Sequence, residues 1–281
     1  MSITRINTNT DALVAGMYLN RTGVQMSRTL SHLSTGLRIV TAADDPSGIA
    51  LASIFRAQVS GVNMAIQNTE DGLSLMNTAD SAMSQQMDIL LRMRDLAVRA
   101  STEATLTDTQ RRTMESEVQR LRLEIGKRTT AVTFNGKSIF SGGLSRTTIF
   151  IGPDNTAAFK LSIQIPNLSN TNIGGYSLTG IMVSNVADAQ SAIGLASAAI
   201  NGLANIQTLI GTQEKMLERM LNKLQTEEVN VAAATSRIQD ADMASEISTF
   251  AKQQIIAQAA TAMIAQANTL PQSVMKLLGI G

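Results

Sequence analysis

The sequence lacks several residue types on which compact or catalytic proteins depend. Among its 281 residues there is no cysteine and no tryptophan, and aromatic residues make up 3%. The missing cysteines exclude a disulfide framework and thiol chemistry. A core with so few rings favours thin packing of helix on helix, in which alanine and methionine fill the gaps. The 15 methionines fit a core of this kind.

Residues for a catalytic or metal site are equally scarce. His32 is the only histidine, so it cannot form a histidine metal cluster or pair, and we interpret it as a helix-surface residue. Asp240, Asp242 and Glu246 are spaced somewhat like an acidic calcium loop, but Ala244 stands at an oxygen position and the loop glycine is missing. No glycine-rich phosphate cradle follows a strand. The sequence therefore predicts no enzyme activity, no metal and no cofactor.

Charge is nearly absent from both ends of the chain. Full charges in residues 1–37 occur only at Arg5, Asp11, Arg21 and Arg28, and residues 253–275 carry none. Apolar residues nevertheless recur there at the helical spacing of three or four: Met26, Leu30, Leu33 and Leu37 at one end, and Ile255, Ala259, Met263, Ala267, Leu270 and Val274 at the other. Monomeric proteins rarely expose such stripes. Both ends are therefore expected to pack against each other and against further copies of the chain.

Other partners and destinations are not indicated by these features. A net charge of +1 gives no electrostatic footprint for nucleic acid. Residues 253–275 are long enough to cross a membrane, but their glutamines, Asn268 and Pro271 are costly in hydrocarbon. The first 20 residues have no continuous apolar core. We therefore expect no nucleic acid, no membrane span and no cleaved signal peptide.

The chain between its ends divides into three zones, of which the first is helical. Residues 47–132 contain no proline and keep helical apolar spacing. Asp45 is the expected N-cap of the first long helix and Pro46 its first residue, while Asp44 contributes only through the helix dipole.

A break at residues 105–109 separates two antiparallel helices in this zone. The second of them is capped by Thr107 or Asp108, since both residue types are favoured as N-caps.

The second zone, residues 134–184, has the pattern of strands and turns. Residues 159–165 alternate with period two and predict a half-buried strand, for which residues 147–151 are the expected partner. Residues 167–175 are interpreted as a polar loop. Turns are expected at Asn135-Gly136, Gly142-Gly143 and residues 152–155.

The third zone, residues 187–238, returns to helix. Its clearest signal is an apolar row with seven-residue spacing: Leu203, Ile210, Leu217, Leu224, Val231 and Ile238. A second row that includes Gln213 and Glu227 is partly polar, which indicates a helix packed in a bundle rather than a free two-stranded zipper. The sequence thus predicts a mainly α fold: a long antiparallel coiled-coil-like helical rod with a small β-hairpin region, and terminal helices paired in an inner domain.

Several motifs give the chain a family resemblance that spans nearly its whole length, apart from residues 141–185. They are Leu33-Ser-Thr-Gly-Leu-Arg-Ile39, Ala43-Asp-Asp-Pro-Ser-Gly-Ile-Ala50, Arg92-Met-Arg-Asp-Leu-Ala-Val98, Phe134-Asn-Gly136, Ser236-Arg-Ile-Gln-Asp-Ala-Asp-Met-Ala244, Ala265-Gln-Ala-Asn268 and Pro271-Gln272. By these motifs the chain resembles a bacterial flagellin.

The resemblance implies an architecture and a function. Residues 1–45 and 242–281 would form the inner terminal domain at the filament core, and residues 46–241 the rod domain, with its β-hairpin zone at 134–185. The variable outer domain of longer flagellins would be absent. Such a chain would assemble with copies of itself into the hollow helical flagellar filament used for swimming. The alternative is a hook–filament junction protein, which shares the terminal helices and the rod.

The resemblance also implies partners and a location. The chain would be exported through the flagellar secretion channel, be held beforehand by an export chaperone at its C-terminal helix, and meet the filament cap and hook-junction proteins outside the cell. Arg92, Leu96 and Glu117 fall on positions that resemble those by which flagellins engage an animal receptor. The same three residues could instead pack against neighbouring subunits.

Overall fold

The computed structural model describes residues 8–104, 106–140, 142, 144, 146–152, 156, 159–168 and 172–277, with side chains described as far as Thr269. The helices of this part are α1 (Thr10–Thr35), α2 (Pro46–Ala100), α3 (Asp108–Ala131), α4 (Val186–Gln239) and α5 (Met243–Leu277). Long helices thus dominate, with short strand pairs between α3 and α4, and the mainly α prediction is confirmed.

Three antiparallel strand pairs lie between α3 and α4 in the described part of the chain. They are β1 (Thr133–Phe134) with β2 (Lys137–Ser138), β3 (Thr147–Phe150) with β4 (Lys160–Ile163), and β5 (Asn172–Ile173) with β6 (Tyr176–Ser177). The pairing of β3 with β4, which runs from Thr147 opposite Ile163 to Phe150 opposite Lys160, confirms the predicted partnership of these two segments.

The chain divides into two compact units. One, the terminal unit, takes the described residues within 1–57 and 230–281, and the other, the central unit, takes those within 58–229. Each of the long helices α2 and α4 has one part in the terminal unit and one part in the central unit. The domain limits implied by the family resemblance, near residues 45 and 242, stay a prediction.

Two neighbouring aspartates prepare the start of α2. The Asp45 carboxylate accepts hydrogen bonds from the backbone N–H groups of Ser47 and Gly48, both at 3.0 Å, so it is the predicted N-cap. These bonds, led by the one from Gly48, lower the pKa of Asp45. Asp44 does more than the dipole role expected of it, because its carboxylate accepts from Thr41 N–H at 2.9 Å and from the Thr41 hydroxyl at 3.0 Å. It therefore closes the turn that precedes the helix.

The turn between α2 and α3 is fixed by a cap and a buried cation. Thr107 and Gln110 form a reciprocal capping box, so Thr107 is the cap among the two predicted residues. The buried Arg111 guanidinium donates to the carbonyl of Ala100 at 3.1 Å and to that of Thr102 at 3.2 Å. A cation at the C-terminal end of a helix is favoured both by the helix dipole and by the unpaired carbonyls there.

The short hairpins depend on residues with positive φ. Asn135 and Gly136, at φ 49° and 75°, turn β1 into β2, as the Asn-Gly signal predicts. The interpretation of residues 167–175 as a polar loop was wrong for residues 172–173, which form β5, and Gly174-Gly175 turns β5 into β6. Gly174 has φ of 60° and its Cα packs on the backbone of Gly202, where a Cβ would come within 2.7 Å. The predicted turns at Gly143 and at residues 153–155 lie outside the described residues.

The core of the central unit is built from aliphatic side chains of three helices and the strand region. α2 contributes Met76, Met83, Leu90 and Met93, α3 contributes Val118 and Ile125, and α4 contributes Leu203, Ile210 and Leu217, all of them fully buried. Several alanines of α2 and α4 let the helices approach closely. Methionine adapts to the irregular gaps that remain, as the composition indicates.

Candidate assembly surface

The apolar row of α4 changes its surroundings along the helix. Leu203, Ile210, Leu217 and Leu224 are buried in the central unit, and Leu224 packs with Val62 and Ala65 of α2. The last two positions of the row, Val231 and Ile238, belong to the terminal unit and are half-buried. The structure thus places the first four residues in a helix–helix seam.

Gln213, in the partly polar row, has a role that sequence reasoning missed. Its side-chain oxygen accepts from the backbone N–H of Gln164 at 2.9 Å, and its amide nitrogen donates to the Gln164 carbonyl at 3.1 Å. One buried amide therefore satisfies both backbone groups just beyond β4 and ties that segment to α4. A lone glutamine among apolar neighbours was the signal that could have found it.

Of the three residues that the resemblance assigned to a partner surface, two are exposed and one is buried. Arg92 of α2 donates from Nε (3.0 Å) and Nη2 (2.8 Å) to one carboxylate oxygen of Glu117 on α3. These two side chains are 57% and 43% exposed, whereas Leu96 is 4% exposed and belongs to the core. A partner would therefore meet the ion pair at the surface, with Leu96 supporting the helix beneath it.

The terminal unit is built on an antiparallel pairing of α1 with α5. The Asn9 amide, at the start of α1, donates to the Ala267 carbonyl at 2.8 Å, and His32, near the other end of α1, contacts Glu246 in the first turn of α5. The segments that lead out of this pair also join each other, because Arg38 N–H donates to the Gln239 carbonyl at 2.7 Å. The predicted pairing of the terminal helices is confirmed.

This helix pair buries very little of its apolar surface. The buried residues of α1 are Thr22 and Thr29, and none of the described side chains of α5, residues 243–269, is buried. Large apolar side chains point outward instead: Leu13, Val14, Met17, Tyr18, Val24 and Leu30 on α1, and Met243, Ile247, Ile255, Ile256 and Met263 on α5. Many exposed large apolar side chains on one helix pair mark a site of association with another surface.

Two helices are apolar and long enough to cross a membrane, judged by length and composition. α2 and α4 each contain an 18-residue window with a mean hydropathy of 1.3, of which 17% and 33%, respectively, is buried. At 55 and 54 residues, however, these helices are far longer than the roughly 20 residues that span a bilayer. Both helices also supply core residues to the central unit.

The acidic residues at the start of α5 are engaged in local structure. Asp242 accepts from the backbone N–H groups of Ala244 and Ser245, so it acts as an N-cap. Glu246 instead contacts His32, whose Nδ1 lies 2.8 Å from Oε1 of Glu246 and whose Nε2 lies 4.0 Å from Oδ2 of Asp44. His32 is therefore half-buried between two carboxylates, and its interpretation as a helix-surface residue was wrong. Among the described residues, no group of three or more histidine or carboxylate side chains is placed to hold a metal ion.

The central unit contains an open cavity, whose lining residues we compared with the requirements of a catalytic site. It has a volume of about 280 Å³ and is lined by Asn68, Asp71, Gly72, Leu75, Phe134, Thr148, Ile149 and Phe150. Asp71 is the one titratable group among these residues, so the cavity provides no acid–base pair. Its apolar walls suit packing better than catalysis.

Two family models match the chain. The N-terminal helical region of bacterial flagellin matches residues 6–144, and the C-terminal helical region of bacterial flagellin matches residues 186–278. Together they cover more than half of the sequence and leave out the strand-rich stretch between them.

Curated relatives agree over almost their whole length. A flagellin of Halalkalibacterium halodurans is 32% identical over 273 residues, which are 97% of this chain and 99% of the relative. A flagellin of Bacillus subtilis is 32% identical over 304 residues (98% and 99%), and a flagellar filament core protein of Brachyspira hyodysenteriae is 32% identical over 283 residues (97% and 99%). Among solved structures, a putative flagellar hook-associated protein from Vibrio parahaemolyticus shares the fold, with a TM-score of 0.59, 15% identity, and coverage of 70% of this chain and 100% of that one.

Proposed function

This chain belongs to the bacterial flagellin family, and on that premise we propose how its surfaces serve the flagellar filament. It is a structural subunit that packs with copies of itself into the filament. The observation that carries the proposal is the uncovered apolar surface of α1 and α5, since neighbouring subunits would remove it from water.

The filament role is favoured over a hook–filament junction role. Flagellins and filament core proteins match at about a third identity across nearly the whole chain. The hook-associated protein matches at 15% identity, which is evidence for a shared fold only. Nothing in the comparisons favours the junction protein.

We further assign parts of the chain to parts of the filament. Residues 1–45 with 242–281 would line the filament core, and residues 46–241 would form the rod outside it. This assignment is supported by the exposed apolar side chains, which concentrate on α1 and α5, whereas the central unit has a large core of its own. The row from Leu203 to Ile238 would be the seam of the rod.

A filament component acts outside the cell, and we propose that this chain reaches that place through the flagellar export channel. A protein with so much uncovered apolar surface needs protection before assembly. We therefore propose an export chaperone that binds α5, followed by contact with the filament cap and the hook-junction proteins. The exposed pair of Arg92 and Glu117 would in addition be open to an animal flagellin receptor.

As a filament subunit the chain is a structural protein, and we propose that it has no catalytic role. The described carboxylates of α5 serve as a cap and a histidine partner, and the central cavity has a single titratable group. The cavity therefore lacks the paired groups that acid–base catalysis requires.

Seeded polymerisation tests the proposed function. Purified monomer should elongate filament fragments, as seen by electron microscopy, and the variant Ile255→Asp should not. Ile255 is 66% exposed on α5, so a charge there leaves the fold intact and blocks only the packing of copies. The matched control Ile255→Met keeps an apolar side chain and should elongate normally. Normal filaments from Ile255→Asp would show that this face is not the assembly surface.

A further inference from the structure

The described methionines differ widely in their exposure to solvent. In the core of the central unit they are fully buried, as Met83 and Met93 are. On the helix pair of the terminal unit, by contrast, Met17 is 67% exposed, Met263 is 64% exposed and Met243 is 42% exposed. Three thioether groups therefore lie in solvent on α1 and α5, where they fill no gap in a core.

Two of these methionines lie close together along the helix pair. The hydrogen bond from the Asn9 amide to the Ala267 carbonyl, at 2.8 Å, sets the antiparallel register of α1 and α5. Counted from this contact, the level of Met17 on α1 is about one helical turn from that of Met263 on α5. Leu13, one turn before Met17, is 64% exposed. The thioethers are thus part of the same apolar surface as the exposed aliphatic side chains.

An exposed thioether reacts with peroxides. The sulfur donates a lone pair to one oxygen of hydrogen peroxide, and the O–O bond breaks. The sulfur, oxidised by two electrons, keeps this oxygen as a sulfoxide, while the other oxygen takes both protons and leaves as water. Because the reaction requires access to the sulfur, the buried methionines of the core are shielded from it.

A sulfoxide is tolerated in water but not in a packed apolar interface. Methionine is apolar and adapts to irregular gaps, whereas its sulfoxide is polar and chiral. Along α1 the neighbours of Met17 one turn earlier are Leu13 and Val14, whose side chains donate no hydrogen bond. A copy packed on this surface would take the sulfoxide oxygen out of water without giving it a partner there. Oxidation should therefore oppose the association of copies.

We propose that Met17, Met243 and Met263 form an oxidation site that controls assembly. Peroxide converts them to sulfoxides in the free chain, and the oxidised chain does not join a filament until the sulfoxides are reduced. The proposal rests on the filament function given above, because neighbouring subunits would cover the same sulfurs after assembly. Methionine sulfoxide reductases supply the reverse step, in which a dithiol is oxidised and the sulfoxide oxygen leaves as water.

The first measurement maps oxidation along the folded monomer. The full chain is treated with limiting hydrogen peroxide, and mass spectrometry of its peptides counts the oxygen added at each methionine. Met17, Met243 and Met263 should react roughly tenfold faster than Met83 or more, since susceptibility follows exposure. Equal rates at the surface and in the core would overturn the proposal.

The second measurement compares the critical concentration for seeded polymerisation before and after oxidation. For the wild-type chain we expect a rise of roughly tenfold or more, and treatment with the reductases and dithiothreitol should reverse it. The triple variant Met17→Leu, Met243→Leu, Met263→Leu should show little rise relative to its own untreated sample. The matched control Met64→Leu, Met216→Leu removes two thioethers of the central unit that are 54% and 42% exposed, and it should respond as the wild type does.

The outcomes distinguish the oxidation site from the filament function. Oxidised wild-type protein that polymerises like untreated protein overturns the proposal and leaves the filament role intact, and so does a triple variant that loses assembly on oxidation as the wild type does. If the untreated triple variant does not assemble, wild-type filaments decide. Met17 and Met263 should be oxidised there roughly tenfold more slowly than in monomer, and equal rates overturn the proposal.

Failure of the filament function has a different signature. Untreated wild-type monomer would then never elongate seeds, and the effect of oxidation on assembly would fail with it. The peptide map of the monomer still decides whether Met17, Met243 and Met263 are the reactive methionines.

Discussion

Glu214 carries an unfavourable charge in the central unit. Its side chain is half-buried on α4, and its Oε1 has no hydrogen-bond partner in the described part of the chain. Burial is the main cause that raises the pKa of Glu214, and the nearby charges of Asp80 and Glu218 raise it further, while Lys215 opposes them. A raised carboxyl pKa means that the ionised form costs stability in the fold. This cost appears as pH rises through the raised pKa.

We expect Glu214→Gln to stabilise the protein at pH 7 and to have little effect near pH 4, where the wild-type carboxyl is largely protonated. The gain should be on the order of 0.5 kcal/mol, because partial exposure screens the repulsion. Thermal unfolding at both pH values measures it. Glu103→Gln is the control, since Glu103 is an exposed carboxylate in the turn between α2 and α3 and its loss should bring no gain. Equal effects of Glu214→Gln at the two pH values would show that charge is not the cause.

His32 and Gln213 make contacts that the sequence pattern does not predict. Both carry polar groups that the periodic pattern treats as surface, and both find partners distant in sequence, Glu246 and Gln164. A helical pattern predicts which face of a helix is apolar. It does not predict which group, distant in sequence, will bond to a polar side chain on that helix. These contacts therefore became visible only in three dimensions.

The helices themselves were predictable because their signals are local. α2 begins at Pro46 behind the Asp45 cap, and α3 behind Thr107, as the sequence indicates. The hairpin of β5 and β6 was missed, since strands of two residues are too short for a period to show. Its position is set by the close approach of Gly174 to Gly202 on a distant helix, and such a contact has no signature in either segment.

Two substitutions on α4 test whether the predicted apolar row is buried. Leu217 is fully buried, whereas its neighbour Met216 is 42% exposed. Leu217→Asp should cost several kcal/mol, because it buries an unpaired carboxylate and removes apolar contacts. Met216→Asp, with the same new charge one residue away, should change the free energy of unfolding by less than about 1 kcal/mol. Chemical denaturation of both variants makes the comparison.

Filament formation should also fail for Leu217→Asp if the seam holds the rod together. A melting temperature within a degree or two of the wild-type value would show that the row faces solvent, and the packing described for α4 would then not be the one the protein adopts.

The two units differ in how much of their apolar surface is buried. The central unit has its own core of methionine, leucine, isoleucine and alanine. The terminal unit leaves its large apolar side chains uncovered, so its stability must come largely from neighbours. If neighbouring subunits cover this apolar surface in the filament, a partner that binds the surface will distinguish monomer from filament.

Arg92 and Glu117 are exposed in the central unit, so the pair can serve both recognition by an animal receptor and packing against neighbouring subunits. We expect monomer to stimulate a receptor reporter cell line and intact filament to leave it silent, because assembly covers the pair. Arg92→Ala should weaken signalling by the equivalent of about 1–3 kcal/mol in binding, as loss of an interface arginine commonly does. The fold should tolerate this change, since the ion pair is exposed and contributes at most about 1 kcal/mol.

Lys223→Ala is the matched control, because Lys223 is an exposed cation on α4, away from the pair on α2 and α3. It should signal as the wild-type protein does. A silent reporter with well-folded monomer would exclude the receptor and leave subunit packing as the role of Arg92 and Glu117. A reporter that responds equally to filament and monomer would instead place this pair on the outer filament surface, where assembly leaves it open to solvent.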